Sequence, residues 1–344
     1  MKKFTKGCLI IAVALLVIGT IFCAVFGALG GYEQLDSSGK RVYNLGFNGL
    51  KFGYDGNRFG FGYWEDEDEW DEEWDEAMEG LKILDVSHEK VKTEYTASDV
   101  TDIVIAIGGN NLVIEESEDE YIWIKNNNSE KTIKYGMRDG CFELRTRKKI
   151  NIVNIEVGIN DENGKIYLYL PKGMSLESLD LELEGGNITS IDLVADDMIV
   201  AIGAGNLTVD GLSAKTMDVA IGAGKADIEK LVAEKVTFEV GAGTLQLNDF
   251  TVGEVIAEVG MGNLTAGGSI AENAEIDCGM GNVILDLKGK ETDYNYNIEC
   301  AMGNVKVGEN KMSNLAAERS VDNGSERELD VECAMGNITI DFVE

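Results

Sequence analysis

The chain has 344 residues, enough for two ordinary domains, and a formal net charge of −32 from 62 acidic and 30 basic residues. Such a surface excludes nucleic acid, whose phosphates need a basic counterface, and repels anionic lipid headgroups; metal cations and basic surfaces remain as attractions, beside the plain benefit of solubility. With 41 glycines, a single proline at Pro171 and no long amphipathic pattern after residue 90, the composition argues for strands joined by glycine corners.

At the N-terminus, Lys2, Lys3 and Lys6 precede an uncharged run from Gly7 to Gly31. About 20 apolar residues cross a bilayer core, whereas a cleaved signal usually has a shorter apolar region. Residues 1–31 therefore predict a transmembrane anchor, with cleavage after Ala28 and Gly30 as the alternative. The lysines should stay in the cytoplasm, which places everything after Gly31 outside the cell. Residues 32–92 read as a linker, largely disordered. Glycine and aromatic residues without a period are followed by a block in which eleven of the fifteen residues from Glu65 to Glu79 are acidic. Such a block repels itself into extended forms and buries no core.

Residues 93–344 predict a repeat domain. Aligning MIVAIGAGNLTV, MDVAIGAGKADI, VTFEVGAGTLQL, VIAEVGMGNLTA and AEIDCGMGNVIL places the second glycine at Gly205, Gly224, Gly243, Gly262 and Gly281, with a spacing of 19 each time. Gly186 precedes on the same frame, and Gly303 and Gly336 follow after insertions. Self-similarity near 20 residues is the signature of a solenoid. On either side of the glycine the residues alternate apolar and polar at period two, so each unit supplies two short strands and a corner. The fold class is therefore all-β, a single-stranded parallel β-helix-like solenoid with coils of 19 residues. Glycine at the corner is expected for its tolerance of positive φ, and Asn110, which stands at that position in DIVIAIGGNNLVI, for its readiness to adopt the left-handed conformation.

The chemistry-bearing residues fall into columns. Cys278, Cys300 and Cys333 share one inward column and read as a core ladder stacked in consecutive coils, ahead of a strained disulfide bridge and of a redox or metal role. Met261, Met280, Met302 and Met335 beside the corner read as filler of an irregular core edge. The outward column Glu239, Glu258, Asp277, Glu299 and Glu332 is the candidate site, a ladder for weak binding of hard cations such as calcium or a solvated acidic face. A second polar column comprises Asp210, Glu229, Asn248, Asp286 and Asp341. The glycine corners do not form a phosphate cradle, because a strand follows them and no third glycine is in register. With a single histidine, His88, in the linker, no nucleophile and base can be assembled, and no catalytic residue or cofactor is nominated.

The entry run DIVIAIGGNNLVIEES, the segment KIYLYLPKGMSLESLDLELEGGNI and the glycine-centred repeats resemble, in that order, a bacterial β-strand-repeat family described as "putative adhesin", a domain of unknown function. The resemblance implies a β-helix-like solenoid at the bacterial envelope, often membrane-tethered. Its members usually carry Asp after the corner, where this chain has Asn206, Asn263, Asn282, Asn304 and Asn337. The function expected is non-enzymatic: a single-pass cell-membrane protein displaying its solenoid outside the cell, for adhesion or envelope-stress sensing, to an envelope or extracellular protein or glycan. The alternatives are a scaffold that self-associates end to end, because the chain stops directly after a repeat, and a β-helix enzyme acting on polysaccharide.

Overall fold

The computed structural model describes residues 80–84, 87, 89–127, 133–146, 164–312 and 317–343, together with the backbone of four short strands nearer the N-terminus. The expected membrane anchor and the acidic block lie outside the described residues, among which no helix is long and apolar enough to cross a membrane. The chain divides into two units. In the first, Glu33–Leu35, Arg41–Asn44, Lys51–Tyr54 and Phe59–Gly62 pair successively as an antiparallel meander. The second is a single wound sheet of 23 strands.

That sheet begins earlier than the boundary expected at residue 93. Lys82–Ile83 and Val91–Thr96 both belong to it, pairing antiparallel with Ile133–Arg138 and Tyr121–Asn126. Thr93 is buried there because its hydroxyl finds a partner, donating to Ile122 O at 2.7 Å. The anchoring residues of this lead-in are few, Leu81 and Leu84 being its buried apolar side chains.

In the centre of the stack the coils are regular. Asn206–Ile221, Lys225–Val240 and Thr244–Val259 are each one 16-residue strand, parallel and in register with an offset of one repeat. Pairing is lost at Asp210 and Lys215, so each strand bends twice and a coil has three sides. The short middle side, residues 211–214 and its equivalents, was absent from the two-strand expectation. It buries Leu212, Leu231, Ala233, Phe250 and Val252. The inward columns before and after the corner are buried throughout, and large and small residues alternate where they meet: Phe238 lies beside Ala257, and Ala226 between Leu207 and Leu245. Interdigitation of this kind fills the core without voids, and each Ile, Leu or Val so buried contributes about 1.5–3 kcal/mol.

Space, and not positive φ, explains the corner glycine. Gly205, Gly224, Gly243, Gly262 and Gly281 all have ordinary φ; in this series only Gly186 is left-handed, at 79°. A Cβ on Gly243 would stand 2.6 Å from Ile221 Cγ2 and well inside 3 Å of the Gly224 carbonyl oxygen. Asn110 likewise does not have positive φ. It is buried, and its side-chain amide has no partner among the described residues.

The order of coils departs from the order of the chain at both ends. Glu328–Cys333 pairs in parallel with both Ala274–Cys278 and Asn295–Cys300, and Asn337–Val343 with both Asn282–Lys288 and Asn304–Val307. The last repeat is thus threaded between its two predecessors. The insertion after Gly303 allows this: Asn310–Met312 and Ala317–Val321 reverse and lie antiparallel on the outermost coil. At the other end Asp102–Ile107 lies between Cys141–Thr146 and Leu176–Leu183, with Ile133–Arg138 antiparallel outside. The sheet is therefore parallel through its repeats and antiparallel at both ends. The ends are covered by short reversed strands carrying charges such as Lys311, Glu318 and Arg319, which blunts an edge against stacking. The chain's own final strand is interior, so the expected exposed edge after Asp341 is not there.

Candidate functional site

The in-register stack brings the predicted carboxylates together as one column. Glu239 pairs with Glu258, Glu258 with Asp277, Asp277 with Glu332 and Glu332 with Glu299. Neighbours are thus one strand apart, about 4.8 Å, and threading of the last repeat puts Glu332 ahead of Glu299. Glu239, Glu258 and Asp277 are half-buried, whereas Glu332 and Glu299 are exposed. None of the five is in an ion pair among the described residues; Lys235 and Lys225 of the same sheet pair with Glu254 and Asp227 instead.

Two positions earlier a second acidic row runs alongside, with Glu275 in register with Asp330. The effect is strongest at the centre. Burial, then the charges of Glu332, Glu275, Glu258 and Asp330, push the Asp277 carboxyl up to about 7. Glu239 and Glu258 are raised by burial and then by Glu258 and Glu275 respectively, and Glu332 by burial and then by Glu299. The carboxylates stack singly along the face instead of converging. Among the described residues no group of three His, Cys, Asp or Glu side chains is placed to hold a metal ion. The second predicted column is softened by partners: Asn248 donates to Glu229 at 2.5 Å, and Asp341 is bridged by Lys306.

On the other side of the corner the asparagines explain themselves. Asn282 Nδ2 donates to Asn263 Oδ1 at 2.9 Å, Asn337 to Asn282 at 2.8 Å and Asn304 to Asn337 at 2.8 Å. A shorter ladder joins Asn206 to Asn187 and Asn187 to Asn111. An amide both donates and accepts, so identical residues stack with bonds made in one direction; aspartate in the same column would only repel.

The sulfur columns split. Cys278, Cys333 and Cys300 are buried and in register as free thiols, in that spatial order and not in chain order. Burial first, then Cys333, pushes the Cys300 thiol up to about 11, which removes it from nucleophilic chemistry at neutral pH. The methionines do not fill a core edge. Met261, Met280, Met302 and Met335 are among the most exposed large apolar side chains of the described residues.

Sequence reasoning missed one surface. Tyr121, Trp123, Tyr167 and Tyr169 gather on neighbouring strands, with Lys92 Nζ 3.3 Å from the Tyr121 ring centre and Lys90 3.9 Å from that of Tyr169. Trp123 donates to Asp119 at 2.8 Å. The signal was present in YIWIKN and KIYLYLP as aromatics on the outward phase of the alternation, but Lys90 and Lys92 arrive from a segment distant in sequence, Lys92 on the strand Val91–Thr96 and Lys90 just before it.

A family model described as Toastrack DUF4097 matches residues 100–341. Among solved structures, a "putative adhesin" from Bacteroides fragilis is 13% identical, with a TM-score of 0.39 over 75% of this chain and 99% of that one. A "putative adhesin" from Parabacteroides distasonis is 13% identical, with a TM-score of 0.37 over 76% and 99%. A "putative lipid binding protein" from the same species is 14% identical, with a TM-score of 0.26 over 76% and 99%. No curated protein matches the chain. The regular glycine-cornered stack and the extent of the family match lead to one conclusion: the chain belongs to the Toastrack DUF4097 family.

Proposed function

We propose that this chain is a non-enzymatic adhesion protein of the bacterial envelope, tethered by its N-terminal segment, whose solenoid presents the Glu239–Glu258–Asp277–Glu332–Glu299 face to a cationic surface outside the cell. The observation that carries the reading is the unpaired carboxylate column itself. Stacked like charges cost the fold roughly 1 kcal/mol per neighbouring pair even at water's dielectric, and among the described residues no cation is paired with the column to repay that cost. A cationic partner laid along the face would relieve it and lower the raised pKa values at the same time. The tether and the outside location rest on the apolar run after Lys6 and on the lysines before it.

The test compares binding of poly-lysine to the full-length chain, to a face variant (Glu239→Gln, Glu258→Gln, Asp277→Asn, Glu299→Gln, Glu332→Gln) and to a control that removes as many exposed acids elsewhere (Glu118, Glu120, Glu234, Glu272 and Glu326 to Gln). The proposal expects salt-sensitive binding that the face variant loses and the control keeps. Equal losses in both variants would reduce the face to a share of the general charge and overturn the reading.

A further inference from the structure

The corner methionines are a feature that the fold does not require. Met261, Met280, Met335 and Met302 are 57, 55, 42 and 45 % exposed. Consecutive coils stack them in that order: Met280 N donates to Gly260 O at 2.7 Å, Met335 N to Gly279 O at 2.7 Å and Met302 N to Ala334 O at 2.8 Å. With in-register strands about 4.8 Å apart, four thioethers line one edge of the solenoid. Upstream coils turn the same glycine corner with Ala204, Ala223 and Ala242 exposed at this position, so small residues suffice for the turn, and a run of exposed methionine works against solubility.

The setting of the stripe points to its ligand. The same four coils carry the hydrogen-bonded ladder Asn263–Asn282–Asn337–Asn304, which fixes the corner on one flank. The other flank holds Glu258, Asp277, Glu332 and Glu299, whose charge concentrates cations at the corner. Thioether sulfur ligates soft monovalent ions and scarcely binds hard ones. The three rotatable bonds of methionine let sulfurs from successive coils close on one ion above a rigid base. We propose that Met261, Met280, Met335 and Met302 form a soft-metal site that takes Cu(I) or its congener Ag(I). The site is independent of the cationic partner suggested for the acidic face, since it needs the thioethers and not the carboxylate column alone.

The test is calorimetric titration of the full-length chain in detergent with silver nitrate in chloride-free buffer, silver being chosen because it does not change oxidation state. One variant replaces the four methionines by leucine, which keeps the size and apolar character of exposed side chains, so the fold and any protein contact made by the stripe survive. A second replaces Cys278, Cys300 and Cys333 by valine, the residue found in the same column at Val240 and Val259, and Cys8, Cys23 and Cys141 by serine, so that no thiol competes for silver. The expected result is saturable binding that is lost in the leucine variant, persists in the valine variant and resists excess calcium. Absent binding, binding unchanged by the leucines, loss with the cysteines alone, or displacement by calcium would each overturn the proposal.

Discussion

Replacing Gly281 by alanine probes how closely the coils approach. The new Cβ would stand 2.7 Å from Val259 Cγ1, 3.2 Å from Gly262 N and well inside 3 Å of the Gly262 carbonyl oxygen. Carbon atoms normally meet at about 3.5–4.0 Å, so the overlap approaches 1 Å, and two of the three atoms are backbone. Relief requires lifting one coil from the next, which breaks the bonds from Asn282 N to Gly262 O at 3.0 Å and from Met280 N to Gly260 O at 2.7 Å. Overpacking costs about 1–3 kcal/mol and each lost bond about 1 kcal/mol, for a total of about 3–5 kcal/mol. Repeats touch only their neighbours, so amide exchange should rise in the strands flanking Gly281 and leave Asn206–Ile221 protected, while the urea midpoint of the C-terminal coils falls. Gly164→Ala is the control: nothing lies within 4 Å of a Cβ there, and its effect should stay within about 0.5 kcal/mol. If Gly281→Ala were as stable as Gly164→Ala, the coils would not be stacked this tightly and the reasoning would fail.

Other consequences are as direct. Because the Asp277 carboxyl titrates at about 7 in the fold against 3.8 unfolded, the folded chain holds a proton through that window that the unfolded chain has lost. Its contribution to stability therefore falls as pH rises towards 7 and is fully unfavourable above it. Asp277→Asn should melt higher than the native chain at pH 8, by about 1–2 kcal/mol at low salt from two relieved neighbours. The difference should shrink towards pH 5 and with added salt; a difference that does not vary with pH would contradict this. Asn282→Asp keeps the bond from Asn337 but cannot donate to Asn263, and should cost about 1 kcal/mol in chemical denaturation; an unchanged midpoint would remove the ladder from the account. The thiols of Cys278, Cys300 and Cys333, each 3 % exposed, should resist a maleimide at pH 7 until urea unfolds the coils, and mass spectrometry showing their modification in the native chain would refute the buried column.

The repeat was legible because alternation at period two and a fixed spacing survive any mutation that keeps the core: Val219 and Ile221 stand inward where the pattern places them. The middle side was not legible, since Gly211, Leu212, Ser213 and Ala214 are too few to show a phase of their own. Coil order at the ends escaped because copies with the same corner stack equally well in any order. The insertion carrying Asn310–Met312 and Ala317–Val321, which decides the matter, has no repeat signal. The acidic column was found because acidic outward residues at one spacing must align in an in-register sheet. The methionines were misplaced for a related reason: hydrophobicity suggested the core, but the strand alternation ends at the corner, and the tightly packed glycine beside them leaves no inward room.

Labelling of a C-terminal tag, placed after Glu344, with an antibody on intact and permeabilised spheroplasts, combined with fractionation, tests the central claim of a tethered solenoid displayed outside the cell most directly. The account predicts full labelling without permeabilisation and a chain that pellets with the membranes and is released by detergent but not by salt. A tag reached only after permeabilisation, or a chain recovered in the soluble fraction, would contradict it.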